Sequence, residues 1–370
     1  MLSDFVERVK RKNKNNLCKL PLTISAQYGL VDQISFFNKV IASENMSNYY
    51  LLHKGDFAYN KSYSSEYPWG AIKRLDCYEQ GTLSSLYICF KPYSHVSSDF
   101  LTHYFETSKW HQGISEIAVE GARNHGLLNV GIQDFFETRH CLPQSLLEQE
   151  KIAKFLNLIE ERIATQNKII EDLKKLKSAI IDQLYSAIKG KGYSYRQIFE
   201  IVNERNKQLE YSNILSASQE KGMVNREDLN LDIQFERSNI NTYKVVRKGD
   251  YVIHLRSFQG GYAFSDKIGV CSPAYTILRP NDLLEFRYLS YYFTSQKFIK
   301  SLIIVTYGIR DGRSINVEEW LDMKTTIPQK EQQRHIVDTI RNIEKKIENE
   351  ELYASYLSKQ KQYLLRQLFI

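Results

Sequence analysis

Two long stretches of the chain repeat apolar side chains at alternating steps of three and four residues. Such a heptad pattern is typical of a helix that packs lengthwise against another helix. The first stretch carries Ile152, Leu156, Ile159, Ile163, Gln166, Ile170, Leu173, Lys177, Ile180 and Leu184. The second carries Ile336, Ile340, Ile343, Ile347, Glu350, Ala354, Leu357, Lys361, Leu364 and Leu368. We call these two sets the first and second seams, and each predicts a helix far longer than the globular average.

The two seams agree in register, including their polar interruptions. Gln166 corresponds to Glu350 and Lys177 to Lys361, and every other member has a counterpart at the same offset. Any surface helix needs an apolar stripe, so one seam alone would indicate little. Two identical seams favour an antiparallel helix pair whose polar members fix the register. Helices of about 40 residues would be about 60 Å long, enough to hold two domains apart.

Segments outside the seams are duplicated as well. The matching pairs are 11–14 with 204–207, 23–26 with 214–217, 50–56 with 244–250, 128–130 with 315–317, and 142–144 with 327–329. Each copy begins with strand-like runs, including 85–90 and 243–255, and continues with an aromatic helical stretch, 98–110 or 286–302. A proline then precedes the long helix. The chain is therefore a tandem duplication.

The duplication predicts a mixed α/β fold. Two globular α/β domains related by pseudo-two-fold symmetry are separated by two long helices, which form an antiparallel coiled coil. The expected boundaries are 1–143 for the first domain, 144–189 for the first helix, 190–328 for the second domain and 329–370 for the second helix.

Composition narrows the class of protein without deciding it. The 370 residues are 42% hydrophobic and 25% charged, ordinary values for a globular chain with two domains. No long apolar run and no signal-peptide pattern is present, which predicts a cytoplasmic protein. The five scattered cysteines form no C-x-x-C pair, which indicates free thiols. A net charge of +7 permits a polyanionic partner but does not require one.

The long helices and the segments that lead into them carry related motifs in both copies. In the first copy these are LPQSLLEQEKI at 142–152, FLNLIEERI at 155–163 and IEDLKKLK at 170–177. In the second they are IPQKEQQRHI at 327–336 and LLRQLF at 364–369. On these residues the sequence resembles the specificity subunit of type I restriction–modification enzymes along essentially its whole length. In the first domain, 24–31, 52–62 and 120–126 are similar to a common type of target-recognition domain. One departure is that the chain enters this domain almost at once, so we expect any N-terminal segment of the helical scaffold to be short.

The resemblance implies a subunit without a catalytic site of its own. Each target-recognition domain would read one half of a bipartite site in double-stranded DNA, and the helices would set the spacing. Two modification subunits that carry S-adenosylmethionine and methylate adenine would dock on the helices. Restriction subunits that act as motor and nuclease would complete the assembly. The cofactors S-adenosylmethionine, ATP and Mg²⁺ would then belong to those partners and none to this chain.

A basic cluster near the N-terminus is a candidate for phosphate contacts. It comprises Arg8, Lys10, Arg11, Lys12 and Lys14, interleaved with asparagines. Its counterpart in the second copy is weaker, with Arg205 and Lys207 beside Glu204. A solvated surface explains such a cluster equally well. If it binds DNA, counterion release predicts a strong salt dependence.

Two Gly-rich polar loops at matching places are candidates for base contacts. The first contains Arg123, Asn124 and His125, and the second contains Arg310, Arg313 and Ser314. Arginine can form a bidentate bond to guanine, and asparagine to adenine. Ordinary turns are the alternative. The flanks of the two loops match while the loops differ, as two different half-sites would require.

A second candidate surface is polar in both copies. It comprises Tyr28, Asn60, Lys61, Ser62, Lys73 and Arg74 in the first domain, and His254, Arg256, Ser257 and Gln259 in the second. The Lys-Gly-Asp segments 54–56 and 248–250 are predicted to be structural turns.

Motifs of catalysis are missing from the sequence. There is no G-x-x-x-x-G-K-[ST] phosphate loop, no Asn-Pro-Pro-aromatic motif, no dinucleotide fingerprint and no metal-ligand spacing of the histidines. This favours a recognition subunit over a fused methyltransferase or nuclease. A coiled-coil interaction protein unrelated to DNA is the other alternative, and it would bind its partner without salt sensitivity.

Overall fold

The computed structural model describes residues 1–39, 41–64, 67–118, 128–218, 221–228, 237–254, 261–307 and 314–369. The chain forms two compact units. Unit 1 comprises Met1–Asn167 with Tyr353–Ile370, and unit 2 comprises Lys168–Leu352. Two long helices, α5 (Leu146–Ser186) and α10 (Lys330–Leu368), each contribute one part to each unit.

Unit 1 contains eight described strands and four short helices besides its parts of the long helices. The strands are β1 (Val6–Arg8), β2 (Leu22–Ser25), β3 (Gly29–Asp32), β4 (Tyr50–His53), β5 (Phe57–Asn60), β6 (Ala71–Arg74), β7 (Gln80–Leu83) and β8 (Ile88–Pro92). The helices are α1 (Gln33–Phe37), α2 (Ser98–Tyr104), α3 (His111–Ile117) and α4 (Ile132–Glu137). Short 3-10 turns lie at Leu2–Asp4 and Lys14–Asn16.

The described part of unit 2 has the following elements. Its strands are β9 (Lys191–Ser194), β10 (Phe199–Val202), β11 (Leu215–Ser218), β12 (Gly222–Asn225), β13 (Lys244–Val246), β14 (Tyr251–Ile253), β15 (Tyr262–Phe264), β16 (Gly269–Cys271), β17 (Thr276–Pro280), β18 (Thr306–Tyr307), β19 (Ser314–Ile315) and β20 (Lys324–Ile327). Its short helices are α6 (Tyr195–Ile198), α7 (Tyr288–Tyr292), α8 (Gln296–Ser301) and α9 (Val317–Asp322). Its 3-10 turns lie at Arg226–Asp228, Arg237–Thr242 and Leu302–Val305.

The sheets of unit 1 have counterparts of the same topology in unit 2, which also contains the described pairs β9-β20 and β18-β19. A four-stranded sheet has the order β1-β8-β5-β6 in unit 1 and β10-β17-β14-β15 in unit 2. The hairpin β2-β3 corresponds to β11-β12, and the pair β4-β7 corresponds to β13-β16. All of these pairings are antiparallel. The predicted duplication and the mixed fold class are thus confirmed.

Each unit has an aromatic core between its four-stranded sheet, its short helices and the long helices. In unit 1, Tyr59 of β5 stacks on Phe135 of α4 with ring centroids 5.0 Å apart. Phe369, at the end of the chain, packs on Phe100 of α2 at 5.0 Å. In unit 2, Tyr195 stacks on Trp320 at 4.3 Å. The globular part of each unit is therefore built on both long helices.

The seams predicted from the sequence are the packed faces of the long helices, and all of their members are buried or half-buried. In unit 1, Lys361 of α10 pairs with Glu160 of α5. In unit 2, Lys177 of α5 pairs with Glu344 of α10, with 2.9 Å between Nζ and Oε1. Late residues of one helix meet early residues of the other, so the helices run antiparallel. The two ion pairs are copies of each other in the duplicated sequence.

The Lys-Gly-Asp segments form the predicted structural turns. Gly55 and Gly249 have φ values of +90° and +98°, a backbone conformation that favours glycine. Asp56 Oδ2 accepts the backbone N–H of His53 at 2.8 Å, and Asp250 Oδ2 accepts that of Arg247 at 2.8 Å. Both aspartates are buried, so each turn needs a compensating cation.

Two details of the sequence prediction change. The aromatic stretches 98–110 and 286–302 are each broken, into α2 followed by a turn before α3, and into α7 and α8. The match of 128–130 with 315–317 is displaced by two residues. Asn316 caps α9 by accepting the N–H groups of Glu318 and Glu319, whereas the residue before α4 is Gly131. Among the described residues, no helix is long and apolar enough to cross a membrane.

Candidate nucleic-acid interface

In unit 1, two of the predicted polar segments meet at one edge of the four-stranded sheet. Asn60 ends β5, and its Oδ1 accepts the N–H of Ser62 at 3.0 Å. The carbonyl of Lys61, between them, accepts the N–H of Leu128 at 2.9 Å. Arg123, Asn124 and His125 lie just before Leu128 and outside the described residues. The start of the β5–β6 connection is thus fixed beside the end of the first predicted base-reading loop.

In unit 2, the predicted segments start from corresponding elements. His254 follows β14, and its N–H donates to the carbonyl of Gly261 at 2.9 Å. Arg256, Ser257 and Gln259 belong to the segment between them and lie outside the described residues. The other predicted segment of unit 2, 308–313, lies between β18 and β19. Next to it, Asn316 donates its N–H to the carbonyl of Val305 at 2.9 Å.

Arg310 and Arg313 belong to the segment 308–313, which also lies outside the described residues. Ser314 begins β19, and its side chain is likewise outside the description. Val305 and Ile315, which flank the segment, are buried in the same aromatic core as Tyr262, the first residue of β15. The core therefore anchors both polar segments of unit 2 at their ends.

Arg11 and Lys12, predicted for phosphate contact, are engaged within unit 1. The guanidinium of Arg11 pairs with the buried carboxylate of Asp56 and donates from Nε to the carbonyl of Leu51 at 3.3 Å. Lys12 donates to the carbonyl of Asn48 at 2.8 Å, and its Nζ lies 3.8 Å from the ring centroid of Tyr50. Both side chains keep partial exposure. Their positive charge is at the surface, but their geometry is set by the fold.

The second unit neutralises its buried aspartate from a different position. Arg279 of β17 makes a bidentate pair with Asp250, with both N–O distances 2.9 Å. The position equivalent to Arg11 is Glu204, which pairs instead with Arg247 at 2.8 Å. The Arg247 guanidinium holds the pKa of Glu204 below its usual range. Arg11 therefore has a structural role that the basic pattern of the sequence did not indicate.

Lys73 and Arg74 of β6 are also paired within the unit. Lys73 Nζ contacts the carboxylate of Glu106. Arg74 pairs with Asp76 and Asp99 at 2.6 Å each and donates to Ser98 Oγ at 3.0 Å. The charge of Arg74 is therefore offset by two carboxylates of the same unit, which weakens its attraction for a nucleic acid.

Two residues of the basic cluster, Arg8 and Lys10, line a cleft. Lys10 and Lys14 are exposed. An open cleft of about 460 Å³ is lined by Arg8 and Lys10 on one side and by Gln133 and Phe136 of α4 on the other. Tyr28 lies in the turn of the β2–β3 hairpin and is 69% exposed. These positive and aromatic groups are accessible to a partner.

Asn13, an asparagine within the basic cluster, has a structural role. Asn13 is 1% exposed; its side-chain amide donates to the carbonyl of Cys18 and accepts the N–H of the same residue, both at 2.9 Å. Asn206 makes the equivalent pair of bonds to Tyr211, at 2.8 and 3.2 Å. The buried amides shape one loop in each unit, and the cations project from it.

Two buried glutamines, whose role the sequence did not indicate, fix the starts of the long helices. Gln149 Nε2 donates to the carbonyl of Pro143 at 2.7 Å, and its Oε1 accepts the N–H of Ser97 at 2.8 Å. Gln333 binds the Pro328 carbonyl at 2.9 Å and accepts the N–H of Glu285 at 2.8 Å. The LPQ and IPQ motifs are thus followed by a helix whose first turns are tied to the globular part.

Within the described ranges, no group of three or more His, Cys, Asp or Glu side chains could hold a metal ion. Three of the five cysteines, Cys18, Cys89 and Cys271, are buried, and all five are free. Burial raises the pKa of the Cys89 and Cys271 thiols to about 12, so they are poor nucleophiles.

Comparison with known sequences finds no matching protein family and no matching curated protein. Comparison with solved structures finds full-length matches. A chain from a structure that addresses the assembly and conformational transition of the type I restriction–modification system is 15% identical, with a TM-score of 0.62. The alignment covers 100% of this chain and 96% of that chain.

Two further matches are subunits from named organisms. The HsdS subunit from Thermoanaerobacter tengcongensis is 17% identical, with a TM-score of 0.50 and coverage of 100% and 95%. The type I restriction–modification S subunit from M. genitalium is 13% identical, with a TM-score of 0.51 and the same coverage. At these identities the matches show the fold. This chain therefore has the duplicated α/β fold with two long helices that the S subunits have.

Proposed function

We propose that this chain is the DNA-specificity subunit of a type I restriction–modification system. The observation that carries the proposal is the match of fold over the whole chain, which includes both units and both long helices. The sequence motifs 142–152 and 327–336 support it independently. Each unit reads one half of a bipartite DNA site.

The duplicated polar segments support the assignment of the reading surface. The segments after β5 and β14 follow equivalent strands, and the segments 119–127 and 308–313 each precede the last short helix of a unit, α4 or α9; the two members of each pair differ in sequence. Their arginine, asparagine and glutamine side chains suit base edges. Lys10, Lys14 and Arg8 suit phosphates, which position the protein without specifying sequence.

The long helices dock two modification subunits in this proposal. Several large apolar side chains on them are exposed outside the seams. They are Leu147, Phe155 and Leu158 of α5 with Tyr356 and Tyr363 of α10 in unit 1, and Ile169 and Leu176 of α5 with Leu352 of α10 in unit 2. Phe155, Ile169 and Leu176 are separated by multiples of seven residues, so they share one face of α5. An apolar face on a charged helix is suited to a protein partner.

Catalysis belongs to the partners in this proposal. The modification subunit supplies S-adenosylmethionine, and the restriction subunit uses ATP and Mg²⁺. The absence of the methyltransferase and phosphate-loop motifs from the sequence supports this division. If the chain were instead a fused methyltransferase, the isolated chain would bind S-adenosylmethionine, and calorimetry would measure this binding directly.

Mapping adenine methylation in host DNA with and without this chain tests the proposal. We expect methylation at a bipartite sequence that disappears when the chain is deleted. Replacing 23–141 by another recognition domain should change one half of that sequence and leave the other unchanged. A methylation pattern that is the same with and without the chain would refute the function. A change in both halves would refute the modular reading by two units.

A further inference from the structure

One position in each globular part contacts a glutamate of the long helices. The helix α2 shares residues 100–104 with the segment FLTHYF at 100–105, and α7 lies within YLSYYF at 288–293. These hexapeptides align without gaps, which makes His103 the counterpart of Tyr291. Glu160 and Glu344 are counterparts in the long helices, as are Lys361 and Lys177. The two units therefore contain the same three-residue cluster, with one exchange of histidine for tyrosine.

The cluster of unit 2 is fully hydrogen-bonded. Tyr291 donates its hydroxyl to Glu344 Oε2 at 2.6 Å, and Lys177 pairs with Oε1 at 2.9 Å. Burial raises the pKa of Tyr291, so the hydroxyl stays a neutral donor at any physiological pH. We call the contact of Tyr291 or His103 with its glutamate a joint between the globular part and the long helices. The Tyr291 joint therefore forms in one protonation state.

The cluster of unit 1 is incomplete in its neutral form. His103 is 1% exposed, and its Nε2 lies 2.7 Å from Asn157 Oδ1 of α5. Its Nδ1 is buried without a hydrogen-bond partner among the described residues and lies 3.7 Å from Glu160 Oε1. The same carboxylate pairs with Lys361 of α10.

A neutral imidazole carries one N–H, so only one of the two ring nitrogens of His103 can donate a hydrogen bond. With the proton on Nε2, the bond to Asn157 forms and a lone pair on Nδ1 faces the carboxylate. A second proton on Nδ1 turns this contact into a charge-assisted hydrogen bond, which is stronger than a neutral one. The side chain of Tyr291 reaches the same state without a proton from solvent.

We propose that His103 and Tyr291 position the globular part of each unit on the long helices, and that the His103 joint is strengthened by protonation whereas the Tyr291 joint is not. The chain thus carries one proton-dependent joint and one fixed joint in otherwise equivalent places. The inference goes beyond the proposed function, and its test needs neither DNA nor partner subunits.

His103 faces polar and charged groups of both long helices. From α5 it faces Asn157 and Glu160, and from α10 it faces Lys361 through that glutamate. The neighbouring Tyr104 bonds to a second histidine, His140. Burial lowers the pKa of His140 to about 4, so this residue stays neutral over the range in which His103 is tested.

Hydrogen–deuterium exchange of the full-length chain, measured at a series of pH values, tests the proposal. In the wild type, we expect the protection of α2 to fall at least about tenfold as the pH rises, relative to H103Y at each pH, since one charge-assisted hydrogen bond is lost. In H103Y, α2 should keep the higher protection throughout. The protection of α7 should not change between these two proteins.

The reciprocal variant Y291H provides a second test, which does not depend on whether H103Y folds. It should make the protection of α7 fall with rising pH while α2 behaves as in the wild type. The same pH profile of α2 in the wild type and in H103Y would overturn the proposal, and so would a pH-independent α7 in Y291H. Because no DNA is present, neither result bears on the proposed recognition function.

Discussion

At the residue scale, the two units keep the same buried polar groups and vary the partners around them. Asp56 and Asp250 occupy equivalent turns, but their cations are Arg11 in one unit and Arg279 in the other. A buried carboxylate must be paired wherever the cation comes from, because leaving it alone costs several kcal/mol. The requirement for a partner is thus preserved while the position of the partner changes.

Gln333 offers the clearest test of such a buried group. It is 1% exposed and serves two carbonyl groups, of Leu283 and Pro328, and the N–H of Glu285. Gln333→Ala should lower the free energy of unfolding of unit 2 by roughly 2–4 kcal/mol, since it leaves buried backbone groups unpaired. Urea denaturation measures this. The exposed neighbour gives the control Gln332→Ala, which should stay within about 0.5 kcal/mol of the wild type.

His140 predicts how unit 1 responds to acid. Its ring nitrogens bind Tyr104 and Thr138, and burial lowers its pKa from 6.5 to about 4. The unfolded chain therefore binds a proton more readily than the folded one between these values, so stability is lost as the pH falls from about 6.5 to about 4. Urea denaturation at a series of pH values should show a shallower loss in H140Q than in the wild type. Equal slopes would contradict this assignment.

Sequence patterns predicted these residues unevenly. The Lys-Gly-Asp turns were predicted because the geometry of a turn is local. The role of Gln149 and Gln333 was not, since each binds backbone about fifty residues away along the chain. The same holds for Arg74, which looked like a free cation until the fold brought Asp99 against it. Non-local partners leave no signal within a short window of one sequence.

At the element scale, the seams were the most predictable feature of the chain. Each seam position is defined by its spacing alone, and the structure buries all of them at least partly. The aromatic stretches were less predictable, because their break depends on turns such as Thr107 Oγ1 accepting the N–H of Lys109. A period of three or four residues continues across such a break, so hydrophobicity alone does not reveal it.

The C-terminal end of α10 and Phe369, which follows it, belong to the core of unit 1. A substitution there should therefore affect unit 1, although these residues come after unit 2 in the sequence. Phe369 is 3% exposed and packs on Phe100 and Tyr104. Phe369→Ala should destabilise unit 1 by about 3–5 kcal/mol, the usual loss for a buried phenylalanine, and leave unit 2 unchanged. Hydrogen exchange of β5 compared with β14 distinguishes the units. The exposed control Gln367→Ala should alter neither, and equal loss of protection in both units would be inconsistent with this division of the core.

Under the proposed function, the exposed apolar face of α5 is the expected binding site of a modification subunit. Phe155 and Leu158 are 46% and 54% exposed. Phe155→Asp should weaken binding of the modification subunit at least about tenfold, since a charge would be buried in an apolar contact. Surface plasmon resonance measures the affinity. Ala164→Asp adds the same charge at an exposed position on the opposite face of α5, about two and a half turns along the helix, and should bind normally. Equal weakening by both substitutions would argue against this face.

At the scale of the whole molecule, the proposal assigns the distance between half-sites to the helices. Both seams are buried or half-buried along their length, and ion pairs join the two helices in each unit, so a change of length must be made in both helices to preserve the packing. Seven residues keep the heptad register and add about 10 Å at 1.5 Å per residue. At about 3.4 Å per base pair, that corresponds to about three base pairs.

Inserting one heptad after Asn167 of α5 and one after Leu352 of α10 therefore tests this assignment. These are the positions at which each helix passes from one unit to the other. The bipartite sequence mapped by adenine methylation should keep both half-sites and gain about three base pairs of spacer. An insertion in α5 alone would displace Lys177 from Glu344 and should abolish methylation instead of shifting it. An unchanged spacer in the double insertion would mean that the helices do not set the distance, whatever else the two units recognise.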